Sequence, residues 1–166
     1  MATSAAPTYF PMHCFDNFTG LVDGGLWQNN PALCGVIEAA TYFMGPGKQF
    51  EKIDILSIGN PISGMRTGLN TRSNKSGILQ WNLKLVFLPM KISSIGVHQI
   101  VRFLSKNHTF GINKYLRIES NNIPTQYFGL KLDSADEMSY GQILELSRHD
   151  FDNHKTDLAD FFKEDE

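Results

Sequence analysis

The segment Gly20-Leu21-Val22-Asp23-Gly24-Gly25-Leu26-Trp27-Gln28-Asn29-Asn30-Pro31-Ala32-Leu33 constrains this chain more than any other. A short apolar run stops at an aspartate, two glycines follow, and Asn30-Pro31 opens a helix. Asn30 is placed to cap that helix, and Pro31 is placed at its first position, where a missing N–H is no loss. Gly24 and Gly25 permit a turn with positive φ. The pattern predicts a buried strand with the Asp23 carboxylate at its carboxyl end. In open α/β sheets that end is where sites are assembled.

The flanking sequence extends the reading. Pro7 and Pro11 exclude a helix interior from the first residues, and Tyr9 and Phe10 are expected to insert into the core. Leu33, Val36, Ile37, Ala40 and Phe43 fall at helical spacing and predict one buried stripe, with Gly45-Pro46-Gly47 as its stop. Ile53 to Ile58 is nearly continuous in apolar character, as suits a parallel strand covered on both faces. Strand, helix and strand in that order predict a βαβ unit from Val22 to Ile58. Further on, 63–77 reads as a polar loop with Arg66, Arg72 and Lys75. Ile78 to Leu88 reads as an apolar segment containing Trp81, and Val97 to Leu104 as a helix. Lys114 to Ile118 alternates like a strand. Leu132 to Glu137 reads as a loop capping a helix that runs through Leu146, and the acidic end from Asp150 as a final short helix.

Composition sets outer limits. At 166 residues, with 42% hydrophobic and 19% charged residues, the chain fits one globular domain. Its parts read as an Asp-bearing region (1–62), a mixed region (63–150) and an acidic tail (151–166). A net charge of −2 gives no electrostatic footprint for nucleic acid. Cys14 and Cys34 have no metal or redox spacing and read as reduced thiols. The five histidines show no paired metal spacing, so no metal or cofactor is expected. No basic and apolar leader opens the chain, and the longest apolar stretch is interrupted by Lys84, Pro89 and Lys91, which argues against a membrane span. A cytoplasmic protein with peripheral membrane contact is the expectation.

Alone, Asp-Gly-Gly is an ordinary turn cap. Here Leu21-Val22-Asp23-Gly24-Gly25 precedes Asn30-Pro31-Ala32-Leu33 and follows Ala2-Thr3-Ser4-Ala5-Ala6-Pro7-Thr8-Tyr9-Phe10-Pro11. Over Ala2 to Ala40 this combination resembles the patatin-like lipid acyl hydrolases. Asp54-Ile55-Leu56-Ser57-Ile58-Gly59 is similar to a strand of the same family, although Asn60-Pro61 departs from its usual Gly-Thr-Gly ending. Gly77 to Trp81, Tyr115 to Ile118 and the Leu132-Asp133 loop carry a looser likeness.

The resemblance implies an α/β fold, a three-layer α/β/α sandwich with a mostly parallel sheet. It also implies a Ser-Asp dyad, in which a serine on a Gly-x-Ser-x-Gly elbow attacks an ester and an aspartate takes its proton. By that resemblance Asp23 is the proton acceptor, Gly24 and Gly25 complete its motif, and Asn30 and Pro31 support it. No Gly-x-Ser-x-Gly occurs in the sequence. The expectation is therefore a partial sandwich lacking the N-terminal, nucleophile-bearing half and inactive alone. Its strands at Val22 and Ile55 are then expected to present open edges. Its partners would be a lipid substrate, a membrane surface, and the missing half or a complementary chain. The alternative is a non-catalytic remnant or split-gene partner that binds lipid or protein.

Overall fold

A computed structural model describes residues 2–7, 9–59, 84–119 and 135–163, with side chains from residue 88 onward in the third of these. The chain starts with a short 3-10 turn, Ala2–Ser4, and then forms an antiparallel hairpin of β1 (His13–Phe15) and β2 (Phe18–Leu21). Asp16 turns the hairpin at φ 50, a conformation that aspartate tolerates better than most residues. Gly20 at φ 70 takes up the irregularity between the pairs His13↔Leu21 and Phe15↔Phe18, as glycine does at a β-bulge.

The hairpin changes the expected topology. β2 is not the expected buried strand: Phe18 is 65% exposed, as is its β1 partner Phe15 at 63%, and only Leu21 is half-buried. Val22 lies just past the strand, so it presents no sheet edge of its own. Tyr9 and Phe10 are also exposed rather than inserted, because the hairpin follows them without covering them.

A one-turn helix α1 (Gly25–Gln28) and then α2 (Ala32–Glu38) follow. α2 runs on as a π-turn, Ala39–Phe43, which shifts the helical phase. This divides the predicted stripe. Val36 is 2% exposed, whereas Ile37 and Phe43 are 57% and 49% exposed.

The βαβ unit occurs one step later than expected. β3 (Ile53–Ile58) leads through α3 (Lys84–Lys106) to β4 (Ile112–Ile118), and the two strands pair in parallel. The short turn before β4 needs Gly111. Its φ is 66, and an added Cβ would stand 2.8 Å from the Glu51 carbonyl. Val36 of α2, Val97 and Val101 of α3 and Ile112 of β4 form the buried core, with Ile53, Ile55 and Tyr115 packed against it. α2 and α3 thus cover one face of the β3–β4 ribbon. On the other side, α4 (Glu137–Phe161) packs against β4, and Lys114 Nζ donates to the Lys163 carbonyl just past its end. The acidic segment continues α4 as one helix rather than forming a separate short one.

Asp136 caps α4. Its Oδ1 accepts from the Ser139 N–H at 2.9 Å, and these bonds to Ser139 hold the carboxyl below its usual pKa. The chain is therefore α/β, with a parallel strand pair between helices. Trp81, Arg66, Arg72, Lys75, Asn60-Pro61 and the Leu132-Asp133 loop lie outside the described residues.

Candidate active site

Asp23 sits two residues past β2, where the first residues of the chain run beside it. The Asp23 N–H donates to the Ala5 carbonyl at 3.0 Å, and the Gly24 N–H to the Thr3 carbonyl at 3.4 Å. Ala5 is buried in that contact. The two stretches that carry the family resemblance are thus physically joined at the aspartate.

The carboxylate is held by its own motif. Asp23 Oδ1 accepts the Gly25 N–H at 2.6 Å, at the opening turn of α1. Among the described residues, Oδ2 takes no hydrogen bond. The glycines serve a different purpose from the one expected. Neither has positive φ, and Gly24 is right-handed at φ −61. What they provide is space. A Cβ on Gly25 would lie 2.9 Å from Asp23 Oδ1 and 3.0 Å from Met90 Cε, and one on Gly24 would lie 3.2 Å from Thr3 Oγ1. Only glycine lets the carboxylate close so tightly on the backbone.

The helix opens one residue later than expected: Pro31 is the N-cap of α2 and Ala32 its first residue, so Asn30 lies just before the cap and serves the helix from there. Its Oδ1 accepts the Ala32 N–H at 3.1 Å, while Pro31 (φ −78) leads into α2 and its carbonyl accepts the Gly35 N–H. Its Nδ2 crosses to α3 and donates to the Ser94 carbonyl at 3.3 Å, with the residue 3% exposed. Asn30 therefore ties the helix after the Asp23 turn to α3.

From Ser94 a buried polar network continues to the carboxyl end of the parallel strands. Arg117 Nη2 donates to Ser94 Oγ at 3.4 Å, Nη1 to Ser57 Oγ at 2.7 Å, and Nε to Glu119 Oε2 at 3.0 Å. The Arg117 side chain is only 7% exposed, so the Glu119 carboxylate is what makes the buried charge tolerable. Gly59 makes room for this ion pair: a Cβ there would stand 3.1 Å from Arg117 Nη2 and 3.1 Å from Glu119 Cγ. Next to it, His98 Nδ1 and Tyr115 Oη lie 2.9 Å apart. Burial lowers the His98 pKa, with Arg117 and Arg102 acting the same way and Glu119 opposing them. Burial raises that of Tyr115.

The structure brings Asp23, Gly24 and Gly25 together in one turn and places Asn30 and Pro31 at the head of the next helix. The network of Ser57, Ser94, Arg117 and Glu119 was not singled out from the sequence. Its one sequence signal is a serine and an arginine interrupting two apolar strands, and these prove to be register partners, Ser57↔Arg117.

The fold and the site thus define an α/β protein with a strand-end carboxylate locked to a helix-opening glycine. Comparison with known proteins narrows this. The chain is similar to a cGAMP-activated phospholipase of Vibrio cholerae serotype O1, 32% identical over 98% of this chain and 48% of that protein. A cGAMP-activated phospholipase of Pseudomonas aeruginosa is 32% identical over 96% of this chain and 44% of its own length. Patatin-like protein 1 of Oryza sativa subsp. indica is 30% identical over 74% of this chain and 35% of its own. The chain spans about half, or less, of the length of these relatives. No family model and no solved structure matches it. The chain belongs to the patatin-like phospholipase family. Among the described residues, no helix is long and apolar enough to cross a membrane.

Proposed function

We propose that this chain supplies the general base of a Ser-Asp lipid acyl hydrolase. Asp23 is the proton acceptor, and the nucleophilic serine and oxyanion donors come from outside these 166 residues. The observation that carries the reading is the clamped carboxylate: Oδ1 fixed by the Gly25 N–H at 2.6 Å, leaving Oδ2 to take a proton. A base is effective only when its accepting atom is oriented toward the hydroxyl it serves, and this contact fixes the carboxylate plane. The serine oxygen then attacks the ester carbonyl. The acyl group passes to the serine, and the alcohol leaves with the proton that Asp23 received. Water next attacks the acyl-serine while Asp23 takes up its proton; that proton passes to the serine oxygen as it leaves, releasing the fatty acid and restoring both residues.

Asn30 and Pro31 hold the head of α2 beneath this turn, and the substrates proposed are glycerolipid esters. The bacterial relatives that match nearly the whole chain are named for activation by cGAMP, so the same nucleotide belongs in the assay.

The test is the Asp23→Asn variant in the full-length protein. Its hydrolysis of a lipid ester is expected to fall at least about 10³-fold with the fold intact, since a serine hydroxyl without a base is a weak nucleophile. Retention of activity within a few-fold of the parent would remove Asp23 from this role. The non-catalytic reading, a lipid- or protein-binding module, would gain if the full-length protein failed to react with a fluorophosphonate probe.

A further inference from the structure

Charge is distributed very unevenly along this chain. Between Asp54 and Glu119 there is no Asp or Glu, although 17 occur elsewhere, and nine of the 15 Lys and Arg residues fall in that interval. α3 lies inside it and carries only basic charge. The helix buries one face, with Ser94, Val97 and Val101, against α2 and the sheet. The opposite face is open and mostly apolar: Ile92, Ile95, Ile100 and Phe103 are 59%, 47%, 48% and 65% exposed, with Gln99 an exposed polar residue among them. Lys91, Arg102 and Lys106 are also exposed. Their spacings, i, i+11 and i+15, place them on one side of that face, with Ile95 between Arg102 and Lys106.

An apolar stripe edged by cations and free of acids is the surface that lies in the headgroup layer of an anionic bilayer. A protein partner is the poorer fit, because the cores of protein interfaces are depleted of lysine. We infer that the outward face of α3 docks this protein onto anionic lipid surfaces, with Ile92 and Phe103 entering the acyl boundary and Arg102 and Lys106 reading the headgroup charge. This docking does not rest on the Ser-Asp assignment: an inactive protein would still bind.

The experiment is vesicle co-sedimentation of the full-length protein at low and high salt. One vesicle is pure phosphatidylcholine, and the other is an equal mixture of phosphatidylcholine and phosphatidylglycerol. The mixed vesicles are expected to bind at least about 10-fold more tightly, with the preference lost at high salt. R102E/K106E is expected to lose about 10-fold or more in affinity for them, and I92S/F103S to lose binding to both vesicles. All four positions are exposed, so folding is expected to persist, as circular dichroism would check. Asp23→Asn should bind like the parent, and the α3 variants should cleave a soluble short-chain ester like the parent, which separates this inference from the catalytic one.

Equal binding to both vesicles, or binding indifferent to all four substitutions, overturns the proposal. So does an absence of vesicle binding, including the case in which I92S/F103S instead dissociates a protein complex on gel filtration.

Discussion

At the scale of single residues, the site depends on atoms that are missing as much as on those present. Gly25 admits the Asp23 carboxylate because it has no Cβ. Gly25→Ala should therefore push Oδ1 off the backbone N–H. Hydrolysis by the full-length protein is expected to fall about 10²-fold, the order of loss that follows a small misplacement of a catalytic group. A kcat unchanged in a steady-state assay would show that the clamp is dispensable. Arg117 allows a different check. Arg117→Met leaves Glu119 beside an apolar interior and should destabilise the fold by about 3 kcal/mol in urea unfolding. Removing both charges together, R117M/E119L, should recover most of that loss, since two paired charges are replaced by packing. If the double variant is no more stable than the single one, the ion pair is not the source of the effect.

At the scale of elements, the parts that were legible in the sequence are those set by local chemistry. Asp136 caps α4, and Asn30, one residue before the Pro31 cap of α2, accepts the Ala32 N–H, because each side chain reaches an N–H within three residues of itself. β3 was readable from the apolar run of Ile53 to Ile58. What could not be read was pairing. The apolar Leu21-Val22 reads as the end of a buried strand. His13 to Asn17 reads as extended chain, and β1 forms there, but three residues carry no pattern that specifies pairing with β2 as a hairpin. The Arg117 network was hidden for the same reason: its members come from β3, α3 and β4 and meet only through register and packing. The core that joins these elements makes its own prediction. Ile112 of β4 is 1% exposed against Val97 and Val101 of α3, so Ile112→Ala should cost about 3 kcal/mol, read as a shift in the denaturation midpoint. A loss under about 1 kcal/mol would mean that α3 does not pack there as described.

At the scale of the whole molecule, stability should decline toward acid. The folded His98 resists protonation, because burial and the nearby Arg117 and Arg102 disfavour its charged form despite Glu119. Above its ordinary value of 6.5 the imidazole is neutral in both states and has no effect. As pH falls below that value the unfolded chain takes up a proton that the folded chain refuses, so stability drops until the folded pKa is passed. Thermal melts between pH 7 and pH 5 should show this fall, and His98→Asn should flatten it. A slope unchanged by that substitution would assign the acid sensitivity to other groups.

The parallel register of β3 and β4 also has a consequence in time. Asp54 receives the Lys114 N–H across a separation of 60 residues. Synthesis at about 5 to 20 residues per second leaves β3 waiting roughly 3 to 12 seconds for its partner. During that interval an apolar strand stands outside the ribosome without its β4 partner. The βαβ unit is therefore a step exposed to misassembly during synthesis, and slowing translation between the two strands should lower soluble yield.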